Sequence, residues 1–86
     1  MPLISEFFGI KIYMYWKEHM PAHFHAEYAG STIIVDIANG VVLKGAFPFG
    51  QLKLVLAWCE LHNGELMANW KSAMEHGEIS RIEPLR

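Results

Sequence analysis

Apolar and polar residues alternate along the first half of the chain, and this pattern predicts β-strands. Residues 10–17 read IKIYMYWK, with aliphatic or tryptophan side chains at even positions and lysine or tyrosine at odd positions. Period-two alternation is typical of a strand with one buried face. Pro21 interrupts the pattern, and further strands are predicted over residues 23–29, 32–37 and 41–46, joined by turns at Gly30-Ser31 and Asn39-Gly40. The first half therefore predicts an antiparallel sheet of about four strands.

The second half of the chain changes to helical spacing. Leu52, Val55, Leu56 and Cys59 recur at intervals of three and four residues, which predicts a helix over about residues 48–62. Asn63-Gly64 marks a break before a second helix over about residues 64–76. Strands followed by helices predict an α+β fold with both helices packed on one face of the sheet. The 86 residues are expected to form one domain, residues 1–86.

The composition of the chain argues against several classes of protein. The formal net charge is −2 and the seven basic residues are scattered, which argues against non-specific binding to nucleic-acid phosphates. The N-terminus lacks a basic leader, and no run approaches the ~18 apolar residues of a membrane span, so we expect neither a signal peptide nor a membrane association. Cys59 is the single cysteine and cannot form an internal disulfide, which agrees with a cytoplasmic location.

The segment EHMPAHFHAEY concentrates the candidate chemistry. His23 and His25 are two residues apart on a predicted strand, so their Cβ atoms lie about 6–7 Å apart on one face. Two imidazoles at this spacing can converge on one divalent ion such as zinc, and His19 in the preceding loop is a candidate third ligand. Exposed strand histidines that make ordinary hydrogen bonds are the alternative interpretation.

The strand pattern also predicts which side chains surround these histidines. Matching the apolar faces places Tyr15 and Asp36 beside His25, in a row on the sheet face away from the helices. Asp36 is then a candidate metal ligand, or the carboxylate that orients His25. The remaining neighbours in this register are Lys17, expected opposite His23, and Glu27, a less favoured ligand.

The same side chains suit metal-free cleavage of a phosphodiester. His23 and His25 would act as general base and general acid, while Lys17 stabilises the developing charge and Tyr15 positions the phosphate. These four residues are therefore the candidate catalytic set, and RNA is the expected substrate if the protein is an enzyme.

The segments SEFFGIKIYMYWKEH, PAHFHAEY, LKLVLAWCELHNGELMANW and RIEPL give the chain a resemblance to a known family. It resembles the bacterial family called domain of unknown function 4160. The resemblance implies a small bacterial protein encoded next to a second small gene, in an arrangement similar to a toxin–antitoxin locus. It also implies that the family histidines correspond to His19, His23 and His25.

Two function hypotheses remain open from the sequence. In the first, the protein belongs to a two-gene module and its histidine-lined face binds a divalent metal or a phosphodiester such as RNA. In the second, it is a non-catalytic protein-binding module, a toxin or antitoxin partner that uses the same face and the corner at Phe47–Phe49. The expected partners are the neighbouring small protein, RNA, or a second copy of the chain in a homodimer.

Overall fold

The computed structural model describes residues 2–86 and contains five strands and two helices. The strands form one antiparallel sheet in chain order, and the helices follow them. This arrangement confirms the predicted α+β fold. The elements are β1 (Leu3–Phe7), β2 (Ile10–Tyr13), β3 (His23–Tyr28), β4 (Ser31–Asp36), β5 (Val41–Gly45), α1 (Phe49–Leu61) and α2 (Asn63–Met74).

The first strand, β1, was not predicted because its burial does not alternate. Ile4 and Ser5 are both buried although they are adjacent, and the register with β2 shifts between Leu3 and Ser5. Such an irregularity hides the period-two pattern from the sequence. The sheet therefore has one strand more than the four that were expected.

Strand β2 is shorter than predicted, since it ends at Tyr13 instead of residue 17. Met14 is still fully buried, but the chain then turns at Trp16 and Lys17, where Lys17 has φ +53°. Trp16 is 45 % exposed, and its indole Nε1–H donates a hydrogen bond to the carbonyl of Gly77 at 3.0 Å. The loop of residues 14–22 is consequently longer than the sequence pattern suggested.

The hairpin between β3 and β4 turns one residue earlier than expected. Ala29 and Gly30, with φ +48° and +85°, form the turn, and Tyr28 pairs with Ser31. Two successive positive φ angles are characteristic of the type I′ turn, which follows the twist of a hairpin. Compared with the register expected from a turn at Gly30-Ser31, every cross-strand partner is displaced by two residues. An even displacement keeps each side chain on its predicted face but gives it a different neighbour.

The β4–β5 hairpin has a four-residue turn, because Asp36 pairs with Val41. The register shifts again between Ile34 and Val35, so that Lys44 pairs with Ile34. Lys44 is exposed and does not lie opposite Asp36, which pairs with Val41.

The apolar core lies between one face of the sheet and α1. The ring of Trp58 packs edge-on against Phe24, with centroids 5.6 Å apart, and both side chains are fully buried. The indole Nε1–H of Trp58 donates to the carbonyl of Glu83 at 2.8 Å. The backbone N–H of Ile82 donates a hydrogen bond of 2.8 Å to the carbonyl oxygen of Ile4. The C-terminal segment therefore lies along the outer edge of β1 at this point.

The helices agree with their predicted bounds to within two residues. The predicted break at Asn63 is confirmed, since α1 ends at Leu61 and α2 begins at Asn63. The side-chain amide of Asn63 donates to the carbonyl of Ile37 at 2.6 Å, which ties the helix junction to the end of β4. Within residues 2–86, neither helix has the length and apolar character needed to cross a bilayer.

Candidate metal site

Three side chains converge where the 14–22 loop enters the central strand β3. Glu18 comes from the loop, and His23 and His25 come from the start of the strand. Each offers one potential ligand atom, and these atoms all lie within 4.8 Å of one another. Glu18, His23 and His25 are called the His–Glu cluster below.

His25 is held by a short hydrogen bond and by an aromatic contact. Its Nε2 lies 2.6 Å from Oε1 of Glu18, a distance typical of a charge-assisted bond in which the imidazole donates. The ring of Tyr15 meets the His25 ring edge-on, with centroids 4.6 Å apart. These two contacts fix the orientation of a side chain that is only partly buried.

His23 is buried, and its protonation pattern follows from its hydrogen bond. Its Nδ1 lies 2.8 Å from the carbonyl oxygen of Pro21. Because a carbonyl can only accept, Nδ1 carries a proton, and Nε2 is the ring atom directed to the rest of the cluster. That Nε2 lies 3.5 Å from Oε1 of Glu18. The ring also packs against Trp70 of α2 with centroids 5.0 Å apart, so His23 is not free of the helices as the predicted outer row implied.

The carboxyl group of Glu18 responds to both histidines. Burial acts to raise its pKa, but the hydrogen bond from His25 and the charges of His25 and His23 outweigh burial. The net effect lowers the pKa of Glu18 below its ordinary value. Glu18 is therefore an anionic carboxylate at neutral pH, which is the state that binds a cation.

The spacing of the His–Glu cluster is close to that of a zinc site. Ligand atoms at about 2.0–2.1 Å from a tetrahedral ion are separated from one another by roughly 3.3 Å. The 3.5 Å between Nε2 of His23 and Oε1 of Glu18 matches this separation. The 2.6 Å between Nε2 of His25 and the same oxygen is shorter, and it would have to widen by about 0.7 Å for an ion to replace the proton of this hydrogen bond.

The structure brings together only part of the predicted ligand set. His23 and His25 lie together, whereas His19 is exposed and is not part of the cluster. The predicted pairing of Asp36 with His25 is wrong: Asp36 pairs with His23, because of the earlier turn. Both its carboxylate oxygens accept hydrogen bonds from Asn39, and the side-chain bond from Asn39 is the main reason that the pKa of Asp36 is lowered.

Glu27, the less favoured predicted ligand, also lies outside the His–Glu cluster. It is exposed on β3, where it pairs with Lys11 on one side and with Thr32 on the other. The pairing of β2 with β3 places His25 opposite Tyr13 and leaves Glu27 further along the strand.

Of the two further predicted catalytic residues, Tyr15 reaches the site and Lys17 does not. Burial is the main cause that raises the pKa of Tyr15, and the nearby Tyr13 and Glu18 add to it, so the phenol stays neutral. Lys17 is exposed in its turn and forms no ion pair with any residue of 2–86. Its predicted position opposite His23 is wrong because β2 ends four residues earlier.

Sequence reasoning missed Glu18 because the residue lies in an irregular loop. Strand register predicts only neighbours within the sheet, and it therefore pointed to Asp36 and Glu27 as the acids. The only available signal was an acidic residue shortly before the histidine-rich strand, which is weak without the course of the loop.

A cavity of about 400 Å³ lies between α1 and the turn after β4. Its walls include Cys59, Glu60 and Asn63 but none of the His–Glu cluster. Burial raises the pKa of Cys59, and the charge of Asp36 adds to the effect, so the thiol stays protonated. A protonated, buried thiol is a poor nucleophile and a poor metal ligand.

The fold and the cluster together define a small α+β domain with a His–His–Glu group at the entry to its central strand. The chain belongs to the family described as Domain of unknown function (DUF4160), whose model matches residues 9–71. The matched segment includes Glu18, His23 and His25. No curated protein and no solved structure matches the chain.

Proposed function

We propose that the protein binds one divalent metal ion of the zinc class through Glu18, His23 and His25. The observation that carries this proposal is the arrangement at His23. The Nδ1–H donates to a backbone carbonyl, and Nε2, the ring's remaining ligand atom, lies 3.5 Å from a carboxylate oxygen. An imidazole nitrogen and a carboxylate oxygen that face each other at this distance can bind one cation between them. A metal ion would bind to both.

The surroundings of the His–Glu cluster support binding without large rearrangement. A ligating histidine normally donates its second ring nitrogen to a carbonyl or carboxylate, which fixes its tautomer and orientation. The carbonyl of Pro21 supplies this partner for His23. Trp70 and Tyr15 limit the rotation of the His23 and His25 rings. Little conformational freedom of these side chains would be lost on binding.

Two histidines and one carboxylate leave one position of a tetrahedral zinc ion without a protein ligand. Structural zinc sites usually have four protein ligands, whereas sites that take water or a substrate have three. An ion bound here would lower the pKa of a bound water molecule or accept an anionic group. The ligand set therefore fits a site open to small molecules better than a structural zinc.

The metal-free phosphodiesterase hypothesis has less support. It assigned the stabilisation of charge to Lys17, which lies in an exposed turn. His25 is engaged with Glu18 at 2.6 Å, and His23 is buried against Trp70. We therefore favour a metal over direct acid–base catalysis by the two rings.

The biological setting implied by the family resemblance is a further part of the proposal. We place the protein in the cytoplasm as one product of a two-gene, toxin–antitoxin-like module, with the neighbouring small protein as its partner. Co-expression of the two genes tests this setting. The expected result is co-purification of the two proteins in a fixed ratio, and failure of the neighbour to co-purify would contradict it.

A non-catalytic protein-binding module is the second candidate function. It is favoured by Phe49, which is 70 % exposed at the start of α1. Phe47 instead packs against Tyr28, with ring centroids 6.1 Å apart, so Phe49 is the more exposed of the two phenylalanines in the predicted corner. In the co-expression experiment, Phe49→Ser would abolish co-purification if this corner is the interface. Unchanged co-purification would exclude it.

The metal proposal is tested by calorimetric titration of zinc into protein made without a histidine tag. The expected result is one zinc per chain, with affinity reduced by roughly 100-fold or more in His25→Ala and in Glu18→Gln, since each removes a direct ligand. His62→Ala is the matched control because His62 pairs with Glu65 at 2.7 Å outside the cluster. Equal zinc affinity in the wild type, His25→Ala and Glu18→Gln would overturn the proposal.

A further inference from the structure

A shallow depression of about 220 Å³ adjoins the His–Glu cluster on the outer face of the sheet. His25 forms part of its wall, so the depression and the cluster share a side chain. The other lining residues come from β4 and β5 and are Thr32, Ile33, Ile34, Lys44 and Gly45.

The depression is formed by the irregular pairing of β4 with β5. The register shifts between Ile34 and Val35, and Gly45 has φ +88°. A Cβ atom at Gly45 would lie 2.1 Å from the carbonyl oxygen of Thr32, so only glycine allows this approach of the two backbones. This close approach at Gly45 fixes the course of β5. Lys44, the preceding residue of β5, therefore lies beside the depression.

Lys44 supplies positive charge to the depression. Its cross-strand neighbour is Ile34, and it forms no ion pair within the part of the chain that the structure describes. Of the nearby acids, Glu27 pairs in register with Lys11 and with Thr32 of the depression, and the oxygens of Asp36 accept hydrogen bonds from Asn39. An unpaired ammonium group beside a depression attracts an anion.

We propose that this depression is an anion subsite of the metal centre and takes the phosphate group of a phosphate ester, with Lys44 as the second anchor. The inference rests on the proposed metal site, which would hold one phosphate oxygen at its open position. Lys44 and the hydroxyl of Thr32 would contact the other oxygens. A volume of 220 Å³ is below that of pockets for drug-sized ligands, so the depression suits a single phosphate group.

The sheet spacing allows both anchors to act on one ligand. His25 and Lys44 lie in one cross-strand row, because each of them pairs with Ile34. They are two strands apart, which separates their backbones by about 10 Å. For both anchors to contact one phosphate group, the long, flexible stem of Lys44 would extend across this gap towards the imidazole.

The test is calorimetric titration of zinc-loaded protein with inorganic phosphate and, separately, with the dinucleotide uridylyl-adenosine. The wild type is compared with Lys44→Gln, which removes the charge and keeps an exposed edge strand polar. Lys53→Gln is the matched control, because Lys53 lies on α1 over the ring of Phe49. Lys44→Gln is expected to weaken phosphate or dinucleotide binding about tenfold, as for loss of one charged hydrogen bond, while Lys53→Gln binds like the wild type.

The outcomes separate this inference from the metal proposal. Binding of phosphate alone indicates a monoester ligand and binding of the dinucleotide indicates RNA; either supports the inference if it depends on Lys44. Normal zinc binding with no anion binding, or with equal anion affinity in the wild type and Lys44→Gln, overturns the anion subsite only. Failure of the wild type to bind zinc at one ion per chain overturns both proposals.

Discussion

The six residues of β3 have different roles on the two faces of the strand. On one face Phe24 and Ala26 are fully buried, and Phe24 packs against Trp58. On the other face His23 and His25 are held by hydrogen bonds to Pro21 and Glu18. The first face stabilises the fold through apolar contact, which needs no particular direction. The second depends on donors and acceptors at fixed positions.

The comparison shows how a small domain can hold a polar cluster rigidly. Chemically active side chains are positioned most firmly when they project from regular elements whose other face is packed. Here the strand that carries both histidines is the middle one of five. The acidic member, Glu18, comes from a loop, so the sheet fixes its position less directly.

The largest expected effect is on the apolar face. Trp58→Ala should lower the free energy of unfolding by about 3–5 kcal/mol, because it leaves a large cavity against Phe24 and Phe7. Urea denaturation of the wild type and the variant measures this change. Trp16→Ala is the control, because Trp16 is 45 % exposed and should cost only about 1 kcal/mol for its hydrogen bond to Gly77. Equal losses in the two variants would contradict the assignment of the core.

An intermediate effect on stability is expected for Trp70, which contacts both the apolar core and the His–Glu cluster. This side chain is buried and also packs against the His23 ring. Trp70→Leu should lower the free energy of unfolding by about 1–3 kcal/mol and also weaken zinc binding, because His23 loses the wall that orients it. Urea denaturation and zinc titration measure the two effects. A loss of stability with wild-type zinc affinity would show that Trp70 does not position His23.

The smallest expected effect concerns Asp36, which the sequence had placed in the site. Hydrogen bonds from Asn39 lower its pKa in the folded protein, so the ionised form contributes stability above the ordinary pKa of about 3.9. That contribution is lost as the pH falls through the lowered value. Asp36→Asn should therefore have a shallower acid limb in a plot of melting temperature against pH, with zinc affinity unchanged. A large loss of zinc affinity in Asp36→Asn would indicate that Asp36 is a metal ligand.

The sequence predicted the fold class, the helix break at Asn63 and the sharing of one face by His23 and His25. Periodicity was sufficient for these, since each depends only on spacing within an element. It failed at turns, because Ala29 adopts a positive φ that alanine rarely takes, and the turn was therefore placed one residue too late. That error exchanged the neighbours of the histidines without changing their face.

The identity of the acidic partner was beyond sequence reasoning for a different reason. Glu18 reaches His25 through the course of the 14–22 loop, and a loop has no period from which position can be inferred. Tyr15 does contact the His25 ring, but the predicted cross-strand pairing is wrong, because Tyr13 pairs with His25 and Tyr15 reaches the ring from beyond the end of β2. The face on which a strand residue lies was thus predictable, whereas cross-strand partners and contacts from loops were not.

X-ray absorption spectroscopy at the zinc edge tests the central claim most directly, because it reports the atoms bound to the ion. Protein loaded with one zinc per chain should show only nitrogen and oxygen ligands at about 2.0–2.1 Å, with the outer-shell scattering of two imidazoles. That imidazole scattering should weaken in His25→Ala. A spectrum with sulfur ligation, or one whose imidazole scattering is unchanged in His25→Ala, would contradict a metal site at Glu18, His23 and His25.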